Sequence, residues 1–179
     1  QRFEHANILA IEPNKNAFIQ SKINFKNSPF EKKINLLLTN LQSFSCEHKF
    51  DLILSNPPFF SEDTDSSDKD RNEARQEKYL PLIQLLGNVK KLLNKEGKFF
   101  LIYPTWEASR VFLEASNLNL HICTITKIFS KKQKPSKRTI FEFQLESCNS
   151  IHKEFVSGNQ DVGYSKPYSE LMKEFYTIF

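Results

Sequence analysis

Apolar residues recur along this chain in two rhythms. One is short runs of β-branched and aromatic residues; the other is stripes at helical spacing. The runs at 7–11, 34–38, 50–54 and 98–103 predict buried strands. Between them, Phe18, Ile19 and Ile23 mark one side of a helix over 14–25. Leu82, Leu86, Val89 and Leu93 recur at i, i+4, i+7 and i+11 and predict a helix over 80–93. Lys95-Glu96-Gly97 makes the turn into the 98–103 strand, which Pro104 ends. Thr105 is placed as the cap of a helix over 107–116. A long strand over 120–129 puts Leu120, Ile122, Thr124, Thr126 and Ile128 on one face. The alternating segment 139–145 pairs with it as an antiparallel hairpin. Residues 147–165 are polar and irregular, with a short strand near Phe155. Tyr168, Leu171, Met172, Phe175, Tyr176 and Phe179 then predict a C-terminal helix capped by Ser165, its aromatics in the core. Strand–helix alternation from Asn7 to Ser116 argues an α/β fold on a mostly parallel sheet, closed by an antiparallel hairpin at the edge.

Composition narrows the classes. A chain of 179 residues fits a single domain, 1–179, with a sizeable core, and 39% hydrophobic against 26% charged residues is ordinary for a globular protein. The net charge of +4 is compatible with a nucleic-acid partner without requiring one. The three cysteines, Cys46, Cys123 and Cys148, and the four histidines are scattered without metal-ligand spacing. All seven are read as structural or surface residues, in a reducing cytoplasm, with no metal expected. No apolar run reaches membrane-spanning length. The chain starts at Gln1 and enters a strand almost at once, which is the pattern expected of a sequence lacking its N-terminal part.

The stretch that carries chemistry follows the 50–54 strand. Ser55-Asn56-Pro57-Pro58-Phe59 cannot continue a sheet ladder, because neither proline has an N–H, and each proline biases its predecessor toward extended backbone. The turn carries a side-chain amide on Asn56, a free carbonyl on Pro57, and the aromatic pair Phe59 and Phe60. An amine conjugated to a ring is a poor nucleophile because its lone pair is delocalised. Two acceptors taking its two N–H groups favour pyramidal geometry and free that lone pair; Asn56 Oδ1 and the Pro57 carbonyl are two such acceptors, and a planar substrate could stack on Phe59. The competing reading is an ordinary Pro-Pro turn.

Three other segments bear on a site. Glu12 ends the first strand just before a helix. A carboxylate there can take both hydroxyls of a ribose, or can simply complement the helix dipole. Asn40, past the 34–38 strand, lies at the same kind of edge and could read an adenine amino group. The loop 130–138 holds five positive charges, Lys131, Lys132, Lys134, Lys137 and Arg138, and suits either RNA phosphates or plain solvent exposure. The acid-rich stretch 61–73 reads as a solvated loop, with Arg75 just beyond it.

Asn56-Pro57-Pro58-Phe59 after an apolar strand resembles the catalytic motif of amino-methyltransferases that use S-adenosyl-L-methionine (AdoMet). Over nearly its whole length the chain is similar to the bacterial tRNA1(Val) adenine-37 N6-methyltransferase family. The matching pieces are Ile11-Glu12 before a helix, Ala74-Arg75 after the acidic loop, Pro135 to Arg138 in the hairpin, and Tyr168-Ser169-Glu170 through Phe175-Tyr176. The resemblance implies a class I methyltransferase, Rossmann-like sheet and methylation of an adenine in tRNA. Asn56 and Pro57 are then the catalytic residues. Pro58, Phe59, Arg75, Lys137 and Arg138 meet substrate, and Glu12, Asn40 and Asn56 meet AdoMet. Two departures stand out. Asn40 replaces the family's aspartate, keeping an acceptor but losing a charge. The family's first strand and its glycine-rich turn are absent; the four glycines, Gly87, Gly97, Gly158 and Gly163, form nothing like it. Because that strand is central, the sheet is expected to be interrupted between the strands starting near Asn7 and Phe50, and AdoMet binding by this chain is itself in question. The same motif would serve a guanine N2 in ribosomal RNA or a release-factor glutamine amide. A non-catalytic RNA-binding module on the same scaffold is the alternative of a different class.

Overall fold

The computed structural model describes residues 5–57, 80–159 and 163–176. The chain divides into two compact units, Gln1–Glu47 and His48–Phe179.

In the first unit, β1 (Ile8–Ile11) lies parallel to β2 (Ile34–Leu37), with Ile8 opposite Ile34 and Ile11 opposite Leu37. The connection is α1 (Lys15–Lys26) and a 3-10 turn, Glu31–Lys33. Asn14 caps α1 through its side chain, which accepts from Asn16 N (2.9 Å) and Ala17 N (3.0 Å). Phe18 and Phe25 are half-buried, whereas Ile19 and Ile23 stay exposed.

The second unit is a five-stranded sheet in the order β3-β4-β6-β5-β7. Its strands are β3 (Phe50–Ser55), β4 (Leu93–Pro104), β5 (His121–Phe129), β6 (Arg138–Gln144) and β7 (Ile151–Val156). Among the described residues three helices accompany it: α2 (Leu82–Leu92), α3 (Ala108–Asn117) and α4 (Lys166–Met172). β3 runs parallel to β4, and β6 is antiparallel to both β4 and β5. The core is apolar and aromatic: Leu82, Leu86 and Val89 of α2 and Val111 of α3 are buried, as are Phe99, Leu101, Phe141 and Phe143 of the sheet. Phe99 stacks on Phe143 at 5.3 Å between ring centres. Full burial of such rings contributes on the order of 2–3 kcal/mol each.

Several expectations are corrected. β3 was expected to be buried, yet Leu52 and Leu54 are exposed, Leu54 by 70%. Among the described residues β3 has a single hydrogen-bonded neighbour, β4, so its other edge is open. Among the described residues the strands form two separate sheets, β1-β2 in the first unit and β3-β4-β6-β5-β7 in the second. The expected turn at 95–97 is an outward excursion of β4: Phe50 pairs with Leu93 and Leu52 with Lys98, so Asp51 alone faces residues 94–97. Gly97 is required there, because a Cβ would sit 2.8 Å from the Phe50 carbonyl oxygen. In β5 the register shifts between Ile122 and Thr124. That bulge turns Cys123 and Ile125 inward with Ile122 and breaks the single face expected from simple alternation.

The short strand expected near Phe155 is β7, 151–156, which lies parallel to β5 outside the hairpin. It starts in polar sequence: His152, Lys153 and Glu154 are exposed. This pairing places Cys148 beside Cys123, and the two form a disulfide, Cα–Cα 5.5 Å. α4 begins at its expected cap, with Ser165 Oγ accepting from Tyr168 N (3.2 Å), but it lasts only seven residues. Its aromatics are not core: Phe175 and Tyr176 are about half exposed, and Tyr168 stacks on Tyr164 at 4.9 Å. Among the described residues no helix is long and apolar enough to cross a membrane, and no acid–His–Cys group could hold a metal.

Candidate active site

In the first unit, Glu12 N donates to Leu37 O (3.0 Å), so Glu12 extends the ladder by one residue past the C-terminal end of β1. Its carboxylate oxygen Oε1 accepts from Asn14 N (2.8 Å). The helix therefore has its own cap in Asn14, and Glu12 is not needed for that task. One carboxylate oxygen is fixed by the turn and the other remains available, which fits a ribose diol. Asn40, three residues past β2, is exposed. Its Oδ1 accepts from Ser43 N (2.8 Å), closing a side-chain turn. The acceptor that the sequence reading assigned to Asn40 thus already takes one hydrogen bond, and its NH2 group is the end left to reach outward. Both side chains lie just beyond the carboxyl ends of the parallel strands β1 and β2. The glycines fit nothing at a strand-to-helix turn: they lie in α2, in the β4 excursion and near 158–163.

In the second unit, β3 stops at Ser55, paired with Leu101, and Asn56 and Pro57 follow directly. Asn56 is exposed, and among the described residues no hydrogen bond engages its side chain. An amide at the carboxyl end of a parallel strand, left without an internal partner, can turn its oxygen to an external N–H donor. Pro58, Phe59, Arg75 and the acidic stretch 61–73 lie outside the described residues.

The register places the basic loop at the same sheet edge. Pro104, at the carboxyl end of β4, faces Arg138, at the start of β6. The 130–137 loop therefore leaves the sheet on the side where β3 ends at Asn56. Thr105 was expected to cap a helix, but its side chain does something else. Its Oγ1 lies 3.0 Å from Ser136 Oγ and 3.0 Å from Thr139 Oγ1, and its N–H donates to Lys137 O (3.2 Å). Ser136 Oγ donates in turn to Arg138 O (2.9 Å). A chain of hydroxyls, anchored at buried Thr139, thus fixes the base of the loop to the turn after β4. Lys137 and Arg138 are held on this network, while Lys132 and Lys134 extend beyond it. The sequence reading missed the network, since Thr and Ser at strand ends look like ordinary cap and loop residues.

Two further electrostatic features flank the site. Burial raises the Tyr103 phenol above its usual value; nearby Glu107 adds to this, and Arg110 works against it. Glu142, on β6, is the opposite case. Burial alone would raise its carboxyl, but hydrogen bonds from Lys98 and Thr124, the Lys98 charge and Gln144 hold it below the usual carboxylate value. Lys98 Nζ lies 2.8 Å from it.

Known proteins resemble this chain in sequence and in fold. Residues 2–132 match the model of the Eco57I restriction-modification methylase family. A tRNA1(Val) (adenine(37)-N6)-methyltransferase of Dyadobacter fermentans is 32% identical over all of this chain and 76% of its own length. The protein so named in Bacteroides thetaiotaomicron is 33% identical, over 96% of this chain and 72% of its own. Among solved structures, a predicted O-methyltransferase from Agrobacterium tumefaciens superposes with TM-score 0.74 at 11% identity, over 97% of this chain and 79% of its own. The glycopeptide N-methyltransferase MtfA, complexed with AdoMet, gives TM-score 0.58 at 10% identity over 78% and 72%. At such identities these structures speak for the class I methyltransferase fold alone. The end-to-end match in sequence says more: this chain belongs to the Eco57I-type methylases and, among them, to the tRNA1(Val) (adenine(37)-N6)-methyltransferase family.

Proposed function

We propose that this protein transfers a methyl group from AdoMet to N6 of an adenine in tRNA, adenine 37 of tRNA1(Val). The observation that carries the reading is the Asn56-Pro57 turn, which leaves an amide and a carbonyl acceptor at the carboxyl end of β3 in a chain of this family. Bound AdoMet supplies an electrophilic methyl on its sulfonium.

The chain's residues do the rest. Glu12 takes the ribose hydroxyls and Asn40 meets the adenine of the cofactor. The target adenine leaves its stack and enters the pocket. Asn56 Oδ1 and the Pro57 carbonyl accept the two N–H groups of its exocyclic amine, which holds the nitrogen lone pair in line with the methyl. Stacking of the base on Phe59 would be worth about 1–3 kcal/mol, and Pro58 and Arg75 are assigned to substrate binding with it. The new N–C bond forms as the S–C bond breaks, and the nitrogen then loses one proton to solvent. Lys137 and Arg138 hold phosphates of the RNA. These cations favour RNA over a protein amide as the substrate.

The test is Asn56→Ala. It removes one of two acceptors used in the transition state, so kcat for tRNA methylation should fall by a hundredfold or so while AdoMet affinity changes little. Full turnover by this variant would sink the mechanism.

A further inference from the structure

A second RNA contact emerges from the turn between β4 and α3. Trp106, the single tryptophan of the chain, is 60% exposed there. Neither a hydrogen bond nor a ring contact engages its indole among the described residues. A single exposed aromatic is ordinary by itself; what sets Trp106 apart is that it follows directly on the residue that holds the cationic loop. Its neighbour Thr105 is pinned by three hydrogen bonds to Ser136, Lys137 and Thr139. The indole and the cationic loop are therefore carried on one rigid frame. The neighbouring acid, Glu107, is occupied by Arg110 at 3.6 Å, which limits its repulsion of a phosphate. Lys132, Lys134 and Lys137 are exposed and enter none of the ion pairs among the described residues.

Register gives the distance scale. Ser55 pairs with Leu101, and Pro104 lies three residues further along β4. Three residues of strand rise put Pro104 about 10 Å beyond the level of Ser55, and Trp106 follows two residues later in the 3-10 turn Thr105–Glu107, at the same end of the sheet. A base occupying the Asn56 pocket would thus have a neighbouring nucleotide within reach of the indole.

We propose that Trp106 is a stacking platform for an unpaired base beside the methylated one, and that Lys132, Lys134 and Lys137 hold the flanking phosphates. This deepens the RNA reading given above and rests on it. An aromatic face set among cations is the arrangement that binds single-stranded nucleic acid, with stacking that tolerates any base and salt-dependent phosphate contacts. The contact orients the substrate strand, so Trp106 is a binding residue and takes no part in methyl transfer.

Because Trp106 is the sole tryptophan, its fluorescence reports on this site alone. The protein is titrated with unmodified tRNA, with an anticodon stem-loop, and with a fully paired RNA of equal length, and binding is followed independently by anisotropy of labelled RNA. The proposal expects saturable quenching with tRNA and stem-loop at the same midpoint as the anisotropy, and little quenching with the paired RNA. Trp106→Ala should weaken stem-loop binding by about fivefold to a hundredfold, and Trp106→Phe should restore most of it. RNA binding and methylation with unchanged emission, and unaltered affinity in Trp106→Ala, would overturn the stacking contact while leaving the methyltransferase reading intact. Equal quenching by the paired RNA would overturn it too, in favour of backbone docking. No binding of any RNA would overturn the RNA reading and this contact with it. The indole is exposed, so the alanine variant should fold, and the fluorescence arm needs no variant at all.

Discussion

Glu12→Gln isolates the charge proposed to hold the ribose of AdoMet. In the native turn one carboxylate oxygen of Glu12 accepts from Asn14 N at 2.8 Å, and the other is left for the diol. Glutamine can keep the first bond through its amide oxygen, so the turn into α1 should survive. What changes is the outward end: an ionised acceptor becomes an NH2 donor. A hydrogen bond to a charged group contributes about 1.5–3 kcal/mol, and a neutral one about 0.5–1.5 kcal/mol. The difference, roughly 1–1.5 kcal/mol, is a five- to tenfold weaker Kd for AdoMet. Glu12→Ala also removes the bond to Asn14 N. It should cost a further ~1 kcal/mol of stability, while Glu12→Gln leaves the thermal midpoint nearly unchanged. Titration calorimetry with AdoMet and with S-adenosylhomocysteine measures both ligands. They share the ribose and should weaken alike, with kcat at saturating AdoMet preserved. An unchanged Kd in Glu12→Gln would refute the ribose assignment and return Glu12 to a purely structural role in the turn.

Two other perturbations test the frame that holds the site. Lys98→Met strips the main partners from the Glu142 carboxylate, whose side chain is only 13% exposed. In the native protein the Glu142 pKa is lowered, so its contribution is present above the unfolded carboxylate pKa and is lost as pH falls through the lower folded value. Without Lys98, burial prevails and the pKa should rise instead. The variant should therefore lose about 1–2 kcal/mol at neutral pH, given that Lys98 itself is half exposed, and almost nothing once the pH has fallen below the lowered native value of Glu142. Denaturant unfolding across that range decides it: a loss independent of pH would mean that Lys98 acts through its methylenes. Gly97→Ala places a Cβ 2.8 Å from the Phe50 carbonyl oxygen and 2.9 Å from Leu93 Cδ1. It should cost about 1–3 kcal/mol by forcing β3 away from β4, and a thermal midpoint equal to wild type would show that the excursion yields freely.

The strands and helices were legible where periodicity was strong. The α2 stripe of Leu82, Leu86 and Val89 and the Phe141–Phe143 alternation both became core. β7 showed in the sequence only as a short strand near Phe155, because His152, Lys153 and Glu154 are polar and carry no hydrophobic signature. The Cys123–Cys148 pair was invisible, since only the β5–β7 pairing brings residues 25 apart together. The positions of Glu12 and Asn56 at strand ends could be read from sequence, because each is a polar residue directly after an apolar run. Trp106 and the hydroxyls of Thr105, Ser136 and Thr139 could not, because their arrangement depends on the register of Pro104 against Arg138.

The most direct measurement is the identity of the methylated nucleoside. Unmodified tRNA1(Val) is incubated with the protein and methyl-labelled AdoMet, digested to nucleosides and resolved by mass spectrometry. The account predicts label in N6-methyladenosine at position 37 with the wild-type protein and far less with Asn56→Ala. Label in N2-methylguanosine, or no labelled nucleoside from a protein that binds both AdoMet and the tRNA, would contradict it.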